Sequence, residues 1–179
     1  EEYENPSLFV EQEGSFIPLG KEPIDMPDKR MPGNHLSDPC LFVQDDTLFC
    51  FYRNTIKEKN GIRNVILYKS YGDGTWSERK EVLSSMTDGL LSPAVVCSDG
   101  VLWMYYVSFK NGELQLRKAE LNDEYLPVSD TECKVNNIPD GFRVWHIEMK
   151  ENASGGLLGL FLMRQKAGSV FKLYHAEME

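Results

Sequence analysis

Two acidic residues stand where a carboxylate could act on a substrate. Asp38 precedes Pro39 in "LSDPCLFV", and Glu148 lies two residues after His146 in "VWHIEMK". A rigidly held, ionised carboxylate can accept a proton or attack an electrophile, and neighbouring arginines tune its pKa. Hydrolysis of a glycosidic bond uses two such groups, one on each side of the bond. We therefore predict Asp38 and Glu148 as catalytic residues, while a purely structural turn role for Asp38 stays open.

A second set of side chains is predicted to bind a substrate at the same place. Tryptophan can stack on a sugar ring, and arginine, histidine and serine can make polar contacts with it. The alternative is structural: Trp145 packs between sheets and His146 bonds a backbone carbonyl. The predicted substrate-binding residues are Arg53, Ser92, Trp145, His146 and Arg164.

An internal repeat relates these residues to one another. "PCLFVQDDTLFCFYR" aligns with "PAVVCSDGVLWMYYV", which places Pro93 at the position of Pro39, a step of 54 residues. A third copy, "HIEMKENASGGLLGLFLMR", has His146 at that position after a step of 53. The repeat therefore predicts that Asp38, Ser92 and Trp145 are structurally equivalent and face one cavity.

The repeat length and the apolar periodicity predict an all-β fold. Short runs rich in Val, Tyr and Phe, with a period of two, are separated by Gly, Asp and Asn, a pattern typical of strands. Units of about 50 residues with four strands predict β-propeller blades. The units are a half blade over 1–34, blades over 35–88 and 89–142, and an incomplete blade over 143–179. A β-sandwich is the alternative architecture.

Composition excludes several classes of function. The chain has 179 residues and a net charge of −9, which argues against nucleic-acid binding. No apolar run approaches the roughly 20 residues of a membrane span, so we predict no membrane partner. The four cysteines show no CxxC spacing and are read as reduced structural thiols, which favours a cytoplasmic location, with a secreted or periplasmic one still open.

Cofactor signatures are missing as well. There is no Walker loop, no HExxH motif and no glycine-rich dinucleotide loop, and the chain has three histidines. We therefore predict no cofactor and no metal site, apart from a cation such as calcium held by cavity carboxylates, which stays open.

The repeated motifs together resemble a known superfamily. "ENPSLFV", "HLSDPCLF", "LFCFYR", "LLSPAVV", "LWMYYV" and "VWHIEM", in that order, are similar to the five-bladed propeller glycosidases related to arabinanase, levansucrase and invertase, including glycoside hydrolase family 43 and its bacterial relatives. The resemblance implies an oligo- or polysaccharide partner. It also implies acids at the inner-strand entrances that act as base or nucleophile, as general acid, and as an orienting group.

Position by position, the resemblance assigns the first acid to Asp38 and makes Glu148 the candidate for another. Ser92 stands where the second blade is expected to carry an acid. Five blades need about 100 residues more than this chain has, so the propeller is expected to be partial and completed by further sequence or by another chain. The other two functions left open are a non-catalytic carbohydrate-binding propeller and a protein-interaction scaffold.

Overall fold

The structure is a computed structural model that describes residues 5–27, 35–136, 138–151, 153–154, 156–166 and 170–178. Within these residues all regular secondary structure is β-strand, and no helix could span a membrane. The all-β prediction is confirmed. Residues 1–4 and 28–34 of the predicted half blade lie outside the described residues.

The strands form a hairpin and three antiparallel meanders. The hairpin pairs β1 (Phe9–Gln12) with β2 (Ser15–Pro18). The first sheet contains β3 (His35–Gln44), β4 (Thr47–Glu58), β5 (Gly61–Gly72), β6 (Thr75–Trp76) and β7 (Lys80–Ser85). The second sheet contains β8 (Gly89–Ser98), β9 (Val101–Lys110), β10 (Glu113–Leu121) and β11 (Pro127–Glu132). The third sheet contains β12 (Phe142–Glu151), β13 (Leu157–Gln165) and β14 (Phe171–Met178).

The outer edge of the first sheet is divided between two short strands. Both β6 and β7 pair with β5, β6 beside its end and β7 beside its middle. Asp73 and Gly74 form the tight turn between β5 and β6, with φ of 49° and 78°, and glycine adopts such values without strain. Ser77 Oγ accepts the Ser70 N–H at 3.0 Å, which fixes the chain between the two short strands. The "SYGDGTW" stretch therefore forms a tight β-hairpin that the bond between Ser70 and Ser77 stabilises.

The sheets pack face to face, so the central strands are buried on both sides. In β9, Met104 and Tyr106 pack toward the first sheet, whereas Tyr105 and Val107 pack toward the third sheet. Each of these four residues is at most 2% exposed. A strand covered on both faces needs apolar residues at consecutive positions, and this explains the uninterrupted run "LWMYYV".

Among the described residues, the third sheet is packed against another sheet on one face only. Phe161 and Met163 of β13 are buried against the second sheet. On the opposite face, Leu158 and Leu160 are exposed, and Leu173 of β14 is 65% exposed. An apolar sheet face of this kind is typical of a blade that packs on a neighbour.

A buried acid fixes the segment that leads toward the first sheet. Asp25 is 7% exposed and accepts the Tyr52 hydroxyl at 2.7 Å. Arg79 lies 3.2 Å and Lys69 4.0 Å from the other carboxylate oxygen. Burial and the bond to Asp25 raise the pKa of Tyr52, so this tyrosine stays protonated. The cluster has a structural role because it stabilises the packing of residues 22–27 on β4 and β5.

Candidate functional site

The first strand of each meander contains an irregularity at the predicted site. The register of β3 shifts between Ser37 and Cys40, and that of β8 shifts between Leu91 and Ala94. The same shift occurs in β12 between Val144 and His146. These bulges, which contain Asp38–Pro39, Ser92–Pro93 and Trp145, are called the first, second and third corners. A bulge re-aims the side chains that it contains.

The first two corners share an uncommon backbone conformation. Asp38 has φ of 53° and Ser92 has φ of 50°, values that residues with a side chain adopt at a cost. Each residue precedes a proline, and each corner lies inside a ten-residue strand rather than before it. The resemblance implied that these residues stand at the entrances of strands, whereas Asp38 lies three residues after the start of β3 and Ser92 three residues after the start of β8.

Asp38 holds an ion pair and a bond to the neighbouring sheet. Its Oδ2 lies 2.8 Å from Arg53 Nε, and both side chains are about one quarter exposed. The same oxygen accepts the backbone N–H of Ser92 at 3.1 Å. Asp38 thus connects β4 of its own sheet with the second corner. The Arg53 charge and the Ser92 N–H therefore both face one oxygen of Asp38.

Ser92 connects the second corner with the third. It is 1% exposed, and its Oγ accepts the Ile147 N–H at 2.9 Å. The same oxygen lies 3.1 Å from the Ile147 carbonyl oxygen and 2.8 Å from His146 Nδ1. A hydroxyl carries one proton, so it donates to either the carbonyl or the imidazole.

His146 and Glu148 complete the connected set. His146 Nε2 lies 3.1 Å from Glu148 Oε1, and the bond to this carboxylate is the main cause that raises the pKa of His146. Burial opposes the shift, and the charges of Asp38 and Glu148 reinforce it. When the imidazole is charged, its two N–H groups donate to Ser92 Oγ and to Glu148, and the serine donates to the Ile147 carbonyl.

The Ser92–His146–Glu148 contacts resemble a serine-hydrolase triad only in composition. Such a nucleophile must reach its substrate, but Ser92 is buried and its oxygen already bonds the backbone of Ile147. The serine therefore serves to position His146.

Trp145 and Arg164 lie in an adjacent pocket rather than in this hydrogen-bonded set. The Arg164 guanidinium lies 4.4 Å from the centroid of the Trp145 ring. Both residues line a pocket of about 440 Å³ between the second and third sheets. The structure thus places Asp38, Arg53, Ser92, His146 and Glu148 in one network, and Trp145 with Arg164 beside it.

Sequence reasoning missed two cations of this pocket, Arg143 and Lys166. Arg143 stands two residues before Trp145, and alternation along a strand could have placed it on the same side. Lys166 directly follows β13, and only the packing of the sheets brings it to the pocket. No local sequence pattern therefore identifies it as a pocket residue. Among the described residues, no group of three or more His, Cys, Asp or Glu is arranged to hold a metal ion.

Comparisons with known proteins identify the fold. No family model and no curated protein sequence matches the chain. Three similar solved structures are an endo-arabinase from Bacteroides thetaiotaomicron, an alpha-L-arabinofuranosidase from Lactobacillus brevis and a thermostable family-43 glycoside hydrolase. Their TM-scores are 0.69, 0.65 and 0.64, each at 14% identity. The alignments cover 97%, 93% and 90% of this chain.

The same alignments cover 65%, 57% and 58% of the three solved chains, so this chain spans about three fifths of their length. Its stacked meanders correspond to part of a propeller, and the alternative of a β-sandwich is not supported. The chain has the fold of the five-bladed β-propellers found in family-43 glycoside hydrolases, and it corresponds to part of such a propeller.

Proposed function

We propose that this chain supplies part of the active-site cavity of a glycoside hydrolase that acts on an oligo- or polysaccharide. Asp38 is the proposed base or nucleophile, and Glu148 is the proposed partner carboxylate. The observation that carries the proposal is the continuous set of contacts from Arg53 and Asp38 through Ser92 and His146 to Glu148. These contacts link both carboxylates in one connected set, and glycoside hydrolysis uses two carboxyl groups.

The environments of the two carboxylates suit different roles. Asp38 is ion-paired with Arg53 and accepts the Ser92 N–H, so its carboxylate is held in one position, as a base or nucleophile requires. Glu148 is nearly half exposed and bonds His146, so it is both accessible from solvent and held in position by the imidazole. Ser92 takes the place of the acid expected at the second corner, and it orients His146 instead.

The test is Asp38→Asn in the full-length protein that contains this chain. The variant keeps an acceptor oxygen for the Ser92 N–H but loses the ionisable group, so we expect turnover of arabinan or xylan to fall by at least about 10²-fold. Release of reducing ends measures turnover, and circular dichroism checks the fold. Unchanged turnover by a folded variant would remove Asp38 from catalysis.

One observation favours a second candidate function, a carbohydrate-binding propeller without catalysis. The second corner carries Ser92 rather than an acid, and this serine is buried. Calorimetry against neutral and acidic glycans, followed by long incubation and product analysis, separates the two functions. Binding without any product supports the non-catalytic candidate and contradicts the hydrolase proposal.

A further inference from the structure

The pocket beside the third corner has the volume and the apolar lining of a small-molecule binding site. Its volume of about 440 Å³ lies within the range of roughly 300 to 1,000 Å³ that small-molecule sites occupy. Leu91, Phe109, Leu114 and Trp145 give it an apolar lining. Trp145 directly precedes His146, so the pocket adjoins the network that contains Glu148.

The pocket also concentrates positive charge in an acidic protein. Arg143, Arg164 and Lys166 line it, although the net charge of the chain is −9. Among the described residues, Glu113 provides the one carboxylate within 4 Å of these cations, at 3.9 Å from Arg143, and its side chain is 61% exposed. In the part of the chain that the structure describes, Arg164 and Lys166 therefore have no carboxylate within 4 Å, and Arg143 has only this distant, exposed one.

Both arginines are held in place before any ligand binds. Arg143 Nη1 donates to the Gly112 carbonyl at 2.9 Å, while its buried Nε has no acceptor among the described residues. The Arg164 guanidinium stacks on Trp145 at 4.4 Å and lies 5.8 Å from the Phe171 ring centroid. Stacking fixes the guanidinium plane and leaves its edge N–H groups for an anion.

The combination points to one class of ligand. A planar guanidinium pairs with a carboxylate through two parallel hydrogen bonds, and the apolar lining suits the carbon face of a ring. We propose that this pocket binds a sugar ring that carries a carboxylate, so that the glycan recognised by the protein contains uronic acid units. This inference rests on the proposed function, because it treats the pocket as a subsite next to the catalytic carboxylates.

Calorimetry of the full-length protein that contains this chain tests the ligand class directly. The probes are trigalacturonic acid, neutral galactotriose and a sulfated galactotriose. We expect the uronic trisaccharide to bind at least tenfold more tightly than the neutral one, with weaker binding at high salt because the contacts are charged. Equal affinity for the acidic and neutral probes would overturn the proposal. Equal affinity for the carboxylated and sulfated probes would overturn the assignment of a carboxylate.

Variants locate the binding to the pocket. Arg164→Gln removes a charge and should weaken trigalacturonic acid binding about tenfold while leaving galactotriose binding unchanged. Lys59→Gln is the matched control, since Lys59 lies in the exposed turn between β4 and β5 and its loss changes the net charge equally. Arg143→Gln is the second variant if Arg164→Gln does not fold. Equal effects of the pocket and control variants would contradict the proposal.

Turnover by the full-length protein separates this inference from the proposed function. If neutral glycans are cleaved as well as acidic ones, the hydrolase function stands and the uronic acid inference fails. If trigalacturonic acid binds selectively and no glycan is cleaved, the pocket inference stands and the hydrolase function fails.

Discussion

The first and second corners have the same backbone and carry different chemistry. Asp38 and Ser92 share φ near 50°, a following proline and a bulge in the first strand of a meander. Asp38 is about one quarter exposed and ion-paired with Arg53, whereas Ser92 is 1% exposed and bonds Ile147 and His146. The fold therefore determines the position of each side chain. The length of the side chain and its neighbours determine whether it is exposed to solvent or bonded inside the protein.

The largest expected effect is the loss of stability in Ser92→Val. Valine cannot replace the bonds to Ile147, and a β-branched residue is strained at positive φ. Together these effects should lower the free energy of unfolding by about 3 kcal/mol, which chemical denaturation measures. Ser92→Gly removes the bonds without the strain and should cost less. A change below about 0.5 kcal/mol in Ser92→Val would contradict the structural role of this serine.

A smaller effect is expected at the first corner. Asp38→Ala removes the ion-pair partner of Arg53 and the acceptor of the Ser92 N–H, which should cost about 2 kcal/mol in the free energy of unfolding. Asp38→Asn keeps one acceptor and tolerates positive φ, so it should cost about 1 kcal/mol. Urea unfolding of the pair gives the difference. Equal losses in the two variants would mean that the bond to the second corner contributes nothing.

The smallest expected effect is a pH dependence that originates at the third corner. The pKa of His146 is raised from its ordinary value of 6.5, chiefly by the bond to Glu148. The charged ring therefore contributes stability that is fully present below about pH 6.5 and is lost as the pH rises through the raised pKa. Urea unfolding of the wild type and Glu148→Gln across this range measures the contribution.

Glu148→Gln is expected to reduce that pH dependence, because the neutral amide does not favour the imidazolium. If the wild type and this variant lost the same stability with rising pH, Glu148 would not be the main partner of His146.

The repeat made the fold predictable from residues alone. The short apolar runs with a period of two indicated strands, and the 54-residue step made Asp38 equivalent to Ser92. The divided outer edge formed by β6 and β7 was not predicted, because pairing with β5 depends on local bonds such as that between Ser70 and Ser77.

The neighbours of the site residues were less predictable. Equivalence of position does not specify which atoms meet, so the contact of Ser92 with His146 could not be read from the pattern. Arg143 and Lys166 join Trp145 because the turn between β9 and β10 and the end of β13 lie side by side across two sheets.

The sequence by itself determined the strand periodicity, the repeated units and the residues that occupy the three corners, because alternation and repeat length are local properties of the chain. The tertiary structure alone decided that Ser92 is buried, that Asp38 pairs with Arg53 across two strands, and that three cations surround one pocket. Those properties depend on which faces of different sheets come into contact, and burial and charge pairing arise only when distant segments pack together.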